Sequence, residues 1–386
     1  MTADVANFPV QGRCDARFEG VKAAFENNFE QGFDVGASVA ITIDGECVVD
    51  LWGGAADAAK IRPWERDTLV GVFSTTKTMT ALTALYLADR GELDLDAPVA
   101  RYWPEFAQAG KAEVKVRHLL GHTAGLPGWD EPLQFEDLYD WDKVCGLLAR
   151  QAPWWEPGSA SGYHGITQGY LIGEVVVRIT GQSLGTFFAR EIAEPLGGGF
   201  YIGVPEACDS RVSLGLLPAT PETPLAGPGS MGMKVHLNPG LPRERMWEIP
   251  WRRAEIPAGN GFGNARSIAR IQSVLACGGE VDGRRLMSRA GCEAVFRQQS
   301  NGPDLVVLAP IRFGLGYALN SMGLPVPRSD RICLWGGSGG SLIVVDFEAR
   351  MTFAYAMNQL EASPFGDRRG QSLVAATYQA LKASRA

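Results

Sequence analysis

The 386-residue sequence is poor in several features that mark particular functions. It has no run of lysine or arginine, and its balance is acidic, with a formal net charge of −7. A nucleic-acid partner, which calls for a basic patch, is therefore not expected. No apolar run approaches the ~18 residues needed to cross a bilayer, so no membrane span is expected either. The first residues, Met1 to Asn7, lack both the basic and the apolar segment of a secretion signal. The seven cysteines (14, 47, 145, 208, 277, 292 and 333) are scattered and contain no C-x-x-C. That odd, widely spaced set argues for reduced thiols and a cytoplasmic location, and against a disulfide scaffold or zinc ribbon. There are only four histidines, at 118, 122, 164 and 236. His118 and His122 stand at i and i+4, but no Glu follows the first and no third ligand is evident, so a structural histidine at a helix C-terminus is expected rather than a metal site. No internal repeat or low-complexity tract stands out, and no cofactor is expected.

What is present reads as an α+β chain. Residues 16–31 form an amphipathic pattern with Phe18, Val21, Phe25 and Phe29 on one stripe. Two β-rich runs, 36–43 and 46–52, flank Asp44-Gly45, a strong hairpin signal, and Gly53-Gly54 is expected to end the second. Strand-like runs return near the end, at 313–319, 332–335, 341–347 and 351–357, followed by a closing helix over about 368–384. Sequential strands tend to pair, so one antiparallel sheet is expected from both chain ends, flanked by helices. The expected division is a sheet-plus-helix domain of 1–70 and 260–386, and a mainly helical insert of 71–259, with the active site between them. Within the insert, 165–180 reads as a buried helix. The stretch 196–263 is rich in Gly and Pro, as loops that shape binding sites often are, and carries Met231, Met233, Met246, Trp247 and Trp251. Asn264 is placed to cap a helix running through Cys277.

The chemistry centres on Phe73-Ser74-Thr75-Thr76-Lys77. This stretch follows the strand-like run 68–72 and opens a helical pattern carried by Met79, Leu82 and Tyr86. Positions i and i+3 share a helix face, so the Ser74 hydroxyl and Lys77 amine are neighbours near the positive end of a helix. Serine becomes a nucleophile only when a base takes its proton, and Ser-x-x-Lys brings a candidate partner within one turn. A second serine pattern, Gly336-Gly337-Ser338-Gly339-Gly340, matches G-x-S-x-G. It fails as a nucleophile elbow, because a strand rather than a helix follows Ser338 and no histidine occurs beyond His236. The base is therefore expected to be a lysine or tyrosine. The Pro157-Gly158 loop leads into Tyr163 just before an apolar helix. A phenol or an amine can serve at neutral pH if a nearby cation or burial lowers its pKa.

Ser74-Thr75-Thr76-Lys77, the Pro157-Gly158…Tyr163 segment and Trp335-Gly336-Gly337 occur in the order and rough spacing of the serine β-lactamase/penicillin-binding protein superfamily. The chain most resembles its family VIII carboxylesterases, which are similar to class C β-lactamases. The stretches 88–106 and 118–128 match as well, and the resemblance covers about 15–360. It implies a β-lactamase-like fold, with Ser74 as the nucleophile and Lys77 and Tyr163 as proton-transfer partners, Tyr163 preferred as the base. It also implies an oxyanion hole from the backbone N–H groups of Ser74 and Ser338, and substrate contacts from Trp335, Gly336 and Gly337.

Two departures bear on substrate. Where β-lactamases carry Lys-Thr-Gly, whose lysine anchors a carboxylate, this chain has Trp335-Gly336-Gly337. The indole can instead pack on an apolar acyl or alcohol group. Where they carry Tyr-x-Asn, it has Tyr163-His164-Gly165, with no amide to tune Lys77. Both favour a serine esterase acting on short-chain or compact uncharged small-molecule esters. An acyltransferase using the same acyl-enzyme, a β-lactamase or D-amino-acid peptidase, and a non-catalytic binding protein are the alternatives.

Overall fold

In the computed structural model, residues 8–218, 227–320, 323–363 and 366–384 are described, so Met1–Asn7 and part of the loop-rich 196–263 stretch fall outside them. Six strands form the main sheet: β1 (Gln11–Cys14), β2 (Gly36–Ile43), β3 (Glu46–Gly54), β4 (Ile332–Gly336), β5 (Leu342–Asp346) and β6 (Met351–Met357). Their order is β1-β3-β2-β6-β5-β4, antiparallel throughout. The two chain ends thus meet at the β2–β6 seam, where Ile43 faces Met351 and Ala37 faces Met357. Asp44 (φ 52°) and Gly45 (φ 85°) turn β2 into β3 with the left-handed pair that a type I′ hairpin requires. Gly53 and Gly54, read as the end of the hairpin, are the last residues of β3 itself.

Helices cover both faces of this sheet, which is why β6 is buried along its whole length rather than on alternate residues. On one face lies α5 (Ala265–Ala276), capped by Asn264 Oδ1, which accepts from the Ser267 N–H at 2.9 Å. Thr352 of β6 donates to the Ala269 carbonyl of that helix. On the other face α1 (Glu19–Glu30) packs with α6 (Arg368–Ala383), and Tyr378 of α6 donates to Asp346 of β5 at 3.0 Å. Alternate side chains of a strand point to opposite faces, so the two helical layers divide β6 between them.

The middle of the chain carries α2 (Thr76–Asp89), α3 (Thr167–Thr180) and α4 (Met231–Leu237), with many short turns. The sequence suggests one apolar face for α2, but every residue from Thr76 to Leu87 is buried. Its threonines are accommodated because their hydroxyls bond to backbone carbonyls: Thr78 to Thr75 and Thr83 to Met79. The strand expected over 313–319 is broken. Only Pro310–Phe313 is a strand, and Gly316 (φ 85°) turns the chain where a Cβ would stand 2.2 Å from that of Ala81 on α2. The helix at Val116–Leu120 also ends early. His122 lies beyond it in the left-handed region (φ 58°), so His118 and His122 do not share a helix face. All seven cysteines are unpaired, and no described helix is long and apolar enough to cross a membrane.

Candidate active site

Ser74 stands on a short turn, Phe73–Thr75, between the small strand Leu69–Gly71 and α2. Phe73 is held at φ 47°, a costly conformation for an aromatic residue, and its ring is locked edge-on against Trp247 at 5.8 Å. That strain is held from both sides: Val72 N–H donates to the Gly261 carbonyl, and the Thr76 hydroxyl donates to the Phe73 carbonyl.

Two side chains converge on the Ser74 hydroxyl. Tyr163 Oη is 2.6 Å from Ser74 Oγ, and Lys77 Nζ is 3.2 Å from it. Lys77 also donates to the Gly165 carbonyl at 2.6 Å and the Ala258 carbonyl at 2.7 Å, and lies 4.8 Å from the centre of the Tyr163 ring. The amine is 1% exposed, and burial drives its pKa well below the usual lysine range. Burial acts oppositely on the phenol, pushing Tyr163 up and favouring its protonated form.

Tyr163 is placed by its neighbours. Its N–H donates to Asp304 Oδ1 at 3.0 Å, and the same oxygen accepts from the Val306 and Val307 N–H groups. The next residue, His164, donates its N–H to His122 Nδ1 at 3.1 Å and accepts at Nε2 from Leu126. Both histidines are buried and kept neutral, His164 with a pKa lowered to about 3. Their role is structural.

Ser74, Tyr163 and Ser338 open on one cavity of about 320 Å³, with apolar walls that include Ile166, Val235, Met246, Trp251 and Val306. Ser338 arrives there through the β4–β5 turn. Ser341 Oγ donates to the Val72 carbonyl at 2.8 Å and stands 2.9 Å from Thr75 Oγ1. Gly337 permits this approach, because a Cβ there would lie 2.1 Å from the Val72 oxygen.

With this geometry in hand, residues 25–377 match the beta-lactamase family. The chain belongs to that family. It is 37% identical over 363 residues to the Mycobacterium tuberculosis protein named esterase/beta-lactamase LipL, covering 91% of this chain and 83% of that one. Among solved structures it resembles a family VIII carboxylesterase at 42% identity and TM-score 0.90, covering 96% of this chain and all of the other. It also resembles a penicillin-binding protein homologue from Caulobacter crescentus at 38% identity and TM-score 0.91, with the same coverage. The chain is thus a serine hydrolase of the esterase/beta-lactamase kind.

Against this family background the two departures take physical form. Trp335 does not reach the cavity, nor do Gly336 and Gly337; the next residue, Ser338, does. Trp335 is 1% exposed, its ring centre 5.4 Å from that of Tyr163 and 5.6 Å from that of Phe313. Its indole packs against the Tyr163 ring, so it backs the tyrosine from behind the cavity wall. The amide missing at Gly165 is replaced by main chain: the Gly165 and Ala258 carbonyls hold Lys77 instead. Of the loop residues singled out from sequence, Met246 and Trp251 line the cavity. Trp247 supports Phe73, and Met231 and Met233 are not in the wall. Asp304, which holds the Tyr163 N–H, and Arg243, in the cavity wall, carry no sequence signal, since neither falls in a spaced motif.

Proposed function

We propose that this protein is a serine carboxylesterase that hydrolyses short-chain or compact esters through an acyl-enzyme on Ser74. The observation that carries this reading is the convergence of Tyr163 Oη and Lys77 Nζ on Ser74 Oγ, at 2.6 and 3.2 Å, inside a mostly apolar cavity of about 320 Å³. That volume sits near the lower end of the ~300–1,000 Å³ common for ligand sites, which favours small acyl and alcohol groups.

Tyr163, the base preferred from sequence, is the weaker candidate on electrostatic grounds, because burial raises its pKa and lowers that of Lys77. A neutral amine has two N–H groups and one lone pair. Two carbonyls take the N–H groups, and the lone pair is left to accept the Ser74 proton. Ser74 Oγ then bonds to the ester carbon. The carbonyl oxygen gains charge facing the backbone N–H groups of Ser74 and Ser338, a pair of donors worth about 3 kcal/mol each in such sites. Tyr163 donates its proton to the departing alcohol oxygen and regains one from Lys77. Water releases the acyl group by the reverse path: its proton passes through Tyr163 to Lys77, which returns it to Ser74 Oγ as the acyl bond breaks.

The test is turnover of p-nitrophenyl acetate and butyrate by the wild type and by Ser74→Ala, with a fluorophosphonate label mapped to its site. Equal rates for the two proteins would sink the assignment. Nitrocefin in the same assay separates an ester from a β-lactam preference, and product analysis with added alcohol separates hydrolysis from acyl transfer.

A further inference from the structure

A buried carboxylate ties the tyrosine segment to the cavity wall. Asp304 is 1% exposed, and its Oδ1 accepts three backbone N–H groups: that of Tyr163 at 3.0 Å, of Val306 at 2.9 Å and of Val307 at 3.0 Å. Val306 and Val307 line the cavity, so a single oxygen joins the Tyr163 main chain to its wall. A second tie runs beside it, from the Leu305 N–H to the Ser161 carbonyl at 2.8 Å. The loop also closes on itself: the Asp304 N–H donates to the Ala309 carbonyl and the Leu308 N–H to the Asp304 carbonyl, both at 3.0 Å. Leu308 is held there at φ 58°, a costly conformation for leucine. Asp304 Oδ2 is buried too and accepts no hydrogen bond from a described residue. An asparagine would satisfy the same three N–H groups without the cost of burying a charge.

We propose that Asp304 is a positioning residue for Tyr163 that lets the site expel alcohols too basic to leave without a proton. The inference rests on the esterase reading and names its leaving groups, the aliphatic alcohols. A proton donor works only within hydrogen-bond reach of the departing atom. Tyr163 is anchored at its main chain by Asp304 and at its phenol by Ser74 Oγ, 2.6 Å away. As the ester C–O bond breaks, its electron pair stays on the alcohol oxygen, which takes the phenol proton. The Lys77 ammonium then returns a proton to the phenolate. Negative charge at Asp304 disfavours the phenolate and so draws this return forward. Burial is the main force keeping the phenol protonated, and the Asp304 charge adds to it.

The experiment varies the leaving group on a common acyl group. Wild type, Asp304→Ala and Asp304→Asn are assayed on ethyl acetate by pH-stat and on p-nitrophenyl acetate by absorbance, and kcat/KM is compared. A p-nitrophenolate departs without a proton, whereas an ethoxide does not. Asp304→Ala should lose about tenfold more on ethyl acetate than on p-nitrophenyl acetate. Asp304→Asn keeps an acceptor for the three N–H groups but loses the charge, so its selective loss should be about threefold in the same direction. The asparagine variant carries the test alone if the alanine variant does not fold. Tyr163→Phe has no proton to give, so adding Asp304→Asn to it should bring no further selective loss. Titration of Ser74 with a fluorophosphonate corrects every rate for the reactive fraction. Equal losses on the two esters, or a selective loss that persists in Tyr163→Phe, would overturn the inference and leave the esterase standing. A wild type that hydrolyses neither ester would sink the esterase and the inference with it.

Discussion

Lys77 Nζ and the Ala258 carbonyl oxygen lie 2.7 Å apart although 181 positions separate them in the chain. The contact fixes an amine that has no carboxylate beside it among the described residues, inside protein, next to Ser74. Substituting Lys77→Arg should be as damaging as Lys77→Met, each lowering kcat by about 10²–10⁴-fold, because a guanidinium cannot give up its proton. In the wild type, kcat/KM should rise with pH as Lys77 loses its proton, at a pH well below the ordinary lysine range. Three of the four histidines do not supply this limb: His118 is lowered to about 4, His164 to about 3, and His122 is also depressed. Steady-state kinetics over pH 5–10 check both points. A Lys77→Arg variant that kept a tenth of the activity would show that positive charge, not proton transfer, is what the site needs.

The burial of Trp335 separates two kinds of substitution. Trp335→Leu removes support from Tyr163, so kcat should fall while the preferred acyl length stays the same. Val235→Phe adds volume in the cavity wall and should shift the preference toward shorter acyl groups. A p-nitrophenyl ester series from acetate to octanoate measures both effects. A changed chain-length profile in Trp335→Leu would put the indole back in the substrate pocket.

The sheet and the Ser74–Lys77 pair are legible because their signals are local. Asp44-Gly45 announces its own hairpin, Asn264 its own cap, and Ser74 and Lys77 share one turn. Tyr163 was found through a Pro-Gly loop and a resemblance, not through any periodicity. What stayed hidden acts through main chain or across loops. The Gly165 and Ala258 carbonyls are a property every residue has, so no residue type could reveal them. Arg243 sits in an aperiodic stretch, and its meaning depends on where that stretch folds. The burial of Trp335 behind Tyr163 is not legible, because residue type says how an indole can pack but not which surface it meets.

Arg369 is fully buried between Asp34 and Asp367, at 3.1 and 2.6 Å, and also donates to the Gly339 carbonyl at 2.8 Å. Burial raises Asp34 to about 6 even though the guanidinium pulls it down. Replacing Arg369 by Met would leave two buried carboxylates uncompensated and should cost about 3–5 kcal/mol. Adding Asp34→Asn should recover part of this. Because Gly339 follows Ser338, esterase activity should also fall in the folded fraction. Urea unfolding measures the first effect, and a loss below 1 kcal/mol would show that the cluster is open to water.

Stability should decline as pH falls below about 6.5. His122 and His164 have folded-state pKa values below that of the unfolded chain, so the unfolded state takes up protons first. Their contribution is complete above ~6.5 and is lost going down, by about 1.4 kcal/mol per pH unit for each histidine. His118, lowered to about 4, acts with them, and Asp34, raised to about 6, opposes them below that pH, one group against three. Unfolding free energies at pH 7, 6 and 5 test this. A flat profile over that window would mean that one ring already carries a proton in the native protein.

The β2–β6 seam joins Thr42 to Thr352, 310 positions apart. During synthesis β2 emerges long before its neighbour exists. At ~5–20 residues per second, roughly 15–60 seconds pass with that edge unpaired. The nascent chain therefore carries an apolar, adhesive edge throughout that interval, and the main sheet closes only after β6 has emerged.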